Sequence, residues 1–266
     1  MGTMTLLSVS ALIALLPPAF LPFRGGGQRD TLFWLLLGVA LAGPLLWVVL
    51  AFGAGWRTGL APALWLTVTT ILAFYGLIVL VNREGFRLSA LLFPYLIVLG
   101  LIATASLGQS GRPMEGAAPA GWVYLHIAFS LATYAVLTLA AIAGVSTFLQ
   151  DRALKNKKAT ILTRALPTLS AGEVLELRLL GLTAGILVIG LLTGMAVQYF
   201  DTGELLVMNH KTVLSLATFA IVVILLAVRH KTGLRGRKAA RLILLAYLLL
   251  TLAYPGVKFV TDVLIS

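Results

Sequence analysis

Three histidines, His126, His210 and His230, are the residues whose type and setting could do chemistry in this chain. His126 opens the apolar run HIAFSLATYAVLTLAAIAGVSTFLQ, and His210 heads another, HKTVLSLATF. An imidazole inside or at the mouth of a membrane helix is costly without a partner, so it marks a functional site by default. Two neutral imidazoles from two helices can fill both axial positions of a haem iron, with the macrocycle wedged between the helices. His126 and His210 are therefore the candidate metal ligands for haem b. For His126 the other reading is a structural hydrogen bond; for His210 it is a solvated loop position. His230, in RHKTGLRGRKAAR, reads as part of a charge cluster beside anionic lipid.

The neighbours of His126 suit such a pocket. Ser130, Thr133 and Tyr134 follow it by about one and two helical turns, and small or hydroxyl side chains leave room for a planar ring. Trp122 lies just before it, and Trp47, Trp56 and Trp65 fall near span ends on the same side. Aromatic walls there would suit a porphyrin, although an aromatic belt at a membrane interface has the same signature. Haem propionates need cationic partners. Lys211, beside His210, and Arg57 and Arg112 are the candidates, with snorkelling to lipid phosphates as the alternative.

Other chemistry is not visible. There is no Ser/His/Asp arrangement, no HExxH and no phosphate-cradling loop, so the chain does not read as an enzyme. The nine acids fall in loops or at the ends of the expected helices, which argues against an ion pump. With no cysteine, thiolate metal sites and disulfides are excluded.

The elements that must position these residues are membrane helices. The 266 residues are 60% hydrophobic and 11% charged, with a mean hydropathy of +1.02, and apolar runs recur along the whole length. We expect an all-α polytopic membrane protein with spans at 3–20, 31–53, 60–81, 88–106, 121–149, 175–200, 211–229 and 240–260. The chain forms one transmembrane domain over 1–266, with a four-span half at 1–106 and a second half at 121–260. The first run carries no Lys or Arg before Leu16, which fits a retained span better than a signal peptide. Pro17-Pro18 is expected to end or bend the first helix, and Gly43-Pro44 and Pro94 to kink the second and fourth.

Basic residues set the orientation. Arg24, Arg29, Arg83, Arg87, Arg152, Lys155, Lys157, Lys158, Arg164, Arg178, Arg229, Lys231, Arg235, Arg237, Lys238 and Arg241, 16 of the 20, lie in alternate loops and their flanks. Those loops are expected to be cytoplasmic, which leaves both termini, His126 and His210 on the extracytoplasmic side. The net charge of +11 thus belongs to loops facing the lipid bilayer, and no basic-aromatic module points to nucleic acid. Ser170 and Glu173 have capping-box spacing and would start the sixth span near Ala171. That span carries Gly181, Gly185, Gly190 and Gly194, which read as close helix packing.

Several segments, taken together, resemble the cytochrome c assembly protein family (CcsA/CcmC-like), and within it the short HemX-like and YpjD-like subgroup. They are HIAFSLATYAVLTLAAIAGVSTFLQDRALK, LSAGEVLELRLLGLTAGILVIGLLTG, HKTVLSLATFAIVVILLAVRHKTGLRGRKAARL and AYPGVKFV. The likeness covers about 121–260; the first four spans match in number and hydrophobicity. It implies haem binding at the outer face, with His126 and Tyr134 in the HxxxxxxxY segment. It also implies that His230, with Gly233, Arg235 and Arg237, matches a position associated with haem passage. The tryptophan-rich segment that presents haem to apocytochrome is replaced here by DTGELLVMN, and His210 takes the place where it would end. The expectation is an inner-membrane protein that holds haem b between spans five and seven, in haem handling (transport and delivery) for cytochrome c biogenesis or in tetrapyrrole regulation. Its partners would be cytochrome c assembly proteins or a tetrapyrrole-synthesis enzyme. A transporter or accessory subunit for a lipophilic substrate is the alternative.

Overall fold

The computed structural model describes residues 2–24, 29–53, 57–108, 112–113, 117–234, 236–256 and 259, and the side chains at 57, 58, 112 and 113 lie outside that description. Trp56, Arg235 and Lys258 therefore also fall outside it. Among the described residues, eight helices are long and apolar enough to cross a membrane. They are α1 (Gly2–Phe20), α2 (Thr31–Gly53), α3 (Leu60–Val81), α4 (Ser89–Ala105), α5 (Ala120–Lys155), α7 (Leu169–Thr202), α8 (His210–Thr232) and α9 (Arg237–Thr251). In hydrocarbon a helix satisfies its own backbone, and these runs hold little that would compete with it.

The helices form two rings of four. In the first, α1 packs on α2 and α4, and α3 closes the ring between them; in the second, α5 packs on α7 and α9, with α8 between those two. The rings meet where α3 packs on α5. Gly43 lets α1 and α2 approach closely, since a Cβ there would lie 3.1 Å from the Ala11 Cα. Trp47 and Trp65 pack against each other inside the first ring, ring centroids 6.0 Å apart, and so do not wall a pocket beside His126.

Helix α1 covers Gly2–Phe20, within a residue of the expected 3–20, and gives way to a 3₁₀ turn over Leu21–Phe23 within one turn of Pro17-Pro18. Other boundaries differ from expectation. Helix α5 is 36 residues long and passes the expected end at 149. Helix α7 starts at Leu169 and is capped by Thr168, whose hydroxyl accepts from the Ala171 amide at 3.4 Å; the Ser170/Glu173 capping box does not form, because Ser170 already lies inside the helix. A five-residue helix, α6 (Ile161–Ala165), with its own Thr160/Thr163 capping box, fills the connection between α5 and α7. Helix α9 ends in a π turn over Leu252–Gly256. A two-residue antiparallel ribbon, β1 (Arg57–Thr58) with β2 (Arg112–Pro113), is the one strand pairing among the described residues.

Candidate functional site

His126 lies in the second turn of α5 and is half-buried against α7. Its Nδ1 sits 3.1 Å from the Gly190 carbonyl oxygen and 3.3 Å from Thr193 Oγ1. Thr193 itself donates to the Gly190 carbonyl at 3.0 Å. A carbonyl can only accept, so Nδ1 carries the proton and donates to Gly190. In the neutral ring this fixes the tautomer and leaves the lone pair on Nε2. Nε2 has no hydrogen-bond partner among the described residues, and it is not among their sealed, unpartnered polar atoms.

The helix glycines make room for the ring. A Cβ on Gly194 would lie 2.8 Å from His126 Cε1, and one on Gly190 would lie 3.7 Å from Phe129 Cβ. The sequence reading of these glycines as packing positions holds here, and the partner is an imidazole. Gly185 and Gly181, about one and a half and two and a half turns before Gly190, meet nothing within 4 Å.

The other expected pocket residues divide between faces. Thr133 is buried on the same face of α5, its hydroxyl donating to the Phe129 carbonyl at 2.8 Å and lying 3.8 Å from a Gly190 Cβ. Tyr134 turns instead to Tyr95 of α4 and to Tyr247 and Thr251 of α9, at 3.2, 3.0 and 3.2 Å. Ser130 is half-buried and Trp122 is exposed. The polar groups nearest His126 thus come from α7, the sixth span, and not from the seventh.

His210 is the first residue of α8, exposed, and Asn209 caps that helix by accepting from the Thr212 amide at 2.9 Å. Lys211 beside it is exposed as well. Among the described residues no hydrogen bond joins His126 to His210. The ribbon brings the backbones of Arg57 and Arg112 together, and alternation of the helices puts it at the same end of the molecule as His126 and His210. At that end Asp201 Oδ1 accepts from the Ala117 and Ala118 amides at 2.9 Å each, tying the end of α7 to the start of α5.

The opposite end holds a constellation that the sequence reading missed. Glu176 is 2% exposed, and Arg229, on α8, is 8% exposed. Arg229 Nη1 is paired with Glu176 Oε1 and Arg229 Nη2 donates to the Glu173 carbonyl at 2.9 Å. Thr147 of α5 donates to Glu176 Oε2 at 2.9 Å. Glu176 is therefore not at a helix end but two turns inside α7, because that helix starts earlier than its apolar run suggests. Arg229 faces inward, and its neighbour His230 is exposed.

No group of three or more His, Cys, Asp or Glu that could hold a bare metal ion occurs among the described residues. A single imidazole with a free Nε2, its other nitrogen fixed on a carbonyl, suits an iron whose equatorial ligands come from a macrocycle. Exposed Trp122, Tyr199, Phe200 and Met208 surround this end with apolar surface, which fits a flat apolar ring.

Comparison with known proteins gives the same direction. Residues 58–265 match the family described as Cytochrome C assembly protein. The match begins well before residue 121 and takes in the third and fourth spans. An Azospirillum brasilense protein named "Uncharacterized 28.8 kDa protein in nifR3-like 5'region" is 47% identical over 264 residues, 97% of each chain. The inner membrane protein YpjD of Escherichia coli K12 is 27% identical over 200 residues, 74% of this chain and 70% of that one. The cytochrome c biogenesis protein CcsA of Chlamydomonas reinhardtii is 26% identical over 178 residues, 66% of this chain and 49% of that one. No solved structure matches the chain.

Proposed function

Because this chain belongs to the cytochrome c assembly protein family, we propose that it is an inner-membrane haem-handling protein of cytochrome c biogenesis. The relatives named as an inner membrane protein and as a cytochrome c biogenesis protein support that place and role. Haem b is held at the His126 end of the second ring. That end is extracytoplasmic, a placement supported by the basic residues gathered in the opposite loops. The chain binds and passes on its cargo without catalysis.

The observation that carries this reading is the hydrogen bond from His126 Nδ1 to the Gly190 carbonyl. A ligating histidine almost always spends its second nitrogen in this way, which orients the ring and raises its basicity. The bare face of Gly194 admits the ring, and Thr193 keeps the carbonyl in a fixed hydrogen-bonded frame. When bound, the haem supplies the iron and its equatorial ligands. His210, exposed at the start of α8, is the second axial candidate, and Lys211, Arg57 and Arg112 at the same end are the candidate propionate partners.

Haem loading of the detergent-purified protein tests the reading. Wild type expressed with adequate haem supply is expected to show a Soret band that shifts on reduction. His126→Ala is expected to lose most of it, and His210→Ala to change its position or intensity. Colourless wild-type protein would favour a transporter or accessory subunit for another lipophilic substrate.

A further inference from the structure

At the end of α5 opposite His126, a cavity of about 460 Å³ opens between the last turns of that helix and α6. Its lining includes Gln150, Leu154, Lys157, Lys158, Thr163 and Arg164, and no acid. Among the described residues none of the three cations has a carboxylate partner, and Asp151, the nearest acid in sequence, is taken by Lys155 at 2.7 Å. We infer that this cavity is a binding site for the headgroup of an anionic phospholipid, a property separate from haem handling.

The walls are built. Gln150 Nε2 donates to the Thr163 and Pro167 carbonyls at 2.7 and 2.9 Å, and Arg87 Nη1 donates to the Arg164 carbonyl at 3.2 Å. These bonds fix α6 across the end of α5. Helix α5 closes with the Lys158 amide on the Ala153 carbonyl and the Lys157 amide on the Leu154 carbonyl, both at 3.1 Å. In that closure Lys157 takes a left-handed backbone, φ 51°, the position that glycine normally fills. It is the one non-glycine residue with positive φ among the described residues, and its side chain borders the cavity. The fold thus accepts backbone strain at a residue that contributes charge to the site.

The location selects a lipid over a soluble anion or an acidic peptide. Ala165 and Leu166 pack on Ala90, in the first turn of α4, so α6 lies level with the start of a membrane span. Leu154 and Ile161 are 62% and 77% exposed beside the cations. Apolar side chains at the hydrocarbon edge with unpaired cations next to them complement an acyl chain and its phosphate.

Native mass spectrometry of the full-length protein in detergent, with added dioleoyl phosphatidylglycerol or dioleoyl phosphatidylcholine, tests this without any haem. Wild type should retain phosphatidylglycerol at least tenfold better than phosphatidylcholine, and millimolar inorganic phosphate should not displace it. The triple variant Lys157→Gln, Lys158→Gln, Arg164→Gln should lose that preference. A charge-matched triple at the same end of the molecule, Lys231→Gln, Lys238→Gln, Arg241→Gln, should keep it. Lys157→Gly, which relieves the backbone while removing one cation, should bind phosphatidylglycerol more weakly with a melting temperature no lower than wild type. Equal retention by the two triple variants, no preference between the lipids, or displacement by phosphate or by an acidic peptide would each overturn the inference.

Discussion

The two ends of the α5–α7 pair solve opposite problems with polar side chains. At one end Glu176 and Arg229 are buried together, and the Thr147 hydroxyl and Glu173 carbonyl take up further capacity. At the other, His126 uses one nitrogen on Gly190 and keeps the second without a partner among the described residues. A buried charge must be matched or the helices separate, so the first end is a clamp across α5, α7 and α8. A neutral imidazole tolerates an unused lone pair far better, so the second end can be left ready for a ligand. The difference separates a group whose polar atoms are spent on holding the bundle from one that keeps a nitrogen without a partner among the described residues, the nitrogen on which the proposed haem site rests.

The largest expected effect comes from breaking the clamp. Glu176→Ala leaves Arg229 buried without its counter-ion, which should cost about 3–5 kcal/mol of stability in denaturant unfolding in detergent. The double variant Glu176→Leu, Arg229→Met should recover most of that loss, since a buried pair replaced by apolar side chains is often neutral. A single variant as stable as wild type would remove the distinction between the ends.

The glycines sharpen the comparison. Gly194→Ala places a methyl group against the His126 ring and should cost about 1–3 kcal/mol through overpacking. It should also weaken the Soret band, because the ring must turn. Gly185→Ala, where a Cβ meets nothing within 4 Å, should leave both stability and spectrum unchanged. Equal effects from the two would mean that the glycines serve only general packing.

The smallest effect is expected between the ends. Tyr134, Tyr95 and Tyr247 form a closed set of hydroxyls with Thr251, which links the two rings of helices. Tyr134→Phe removes one member and should cost about 1 kcal/mol without altering haem loading. Loss of the Soret band in this variant would extend the site deeper than His126.

How much of this was legible in the sequence follows from the range of each interaction. The eight spans announce themselves, because a helix that crosses hydrocarbon needs a long apolar run. Helix α6 does not, since five residues show no periodicity and the Thr160/Thr163 cap has no acidic signature. Thr168 and Ser170 are both plausible caps by type, and only the geometry chooses Thr168. His126 stood out by its setting, yet its partner lies 64 residues away on a helix whose glycines carry no label of their own. Glu176 and Arg229, 53 residues apart, each looked like a helix-end charge; their pairing requires knowing that α7 and α8 are neighbours. Local chemistry was readable, and contacts between helices were not.

The central claim is that His126 Nε2 is an iron ligand. The most direct measurement is the absorption spectrum of a His126→Gly variant purified with and without imidazole in the buffer. The account predicts that the Soret band is lost in the variant and restored by imidazole, which takes the vacated ligand position. A variant with the wild-type spectrum in buffer alone would contradict it.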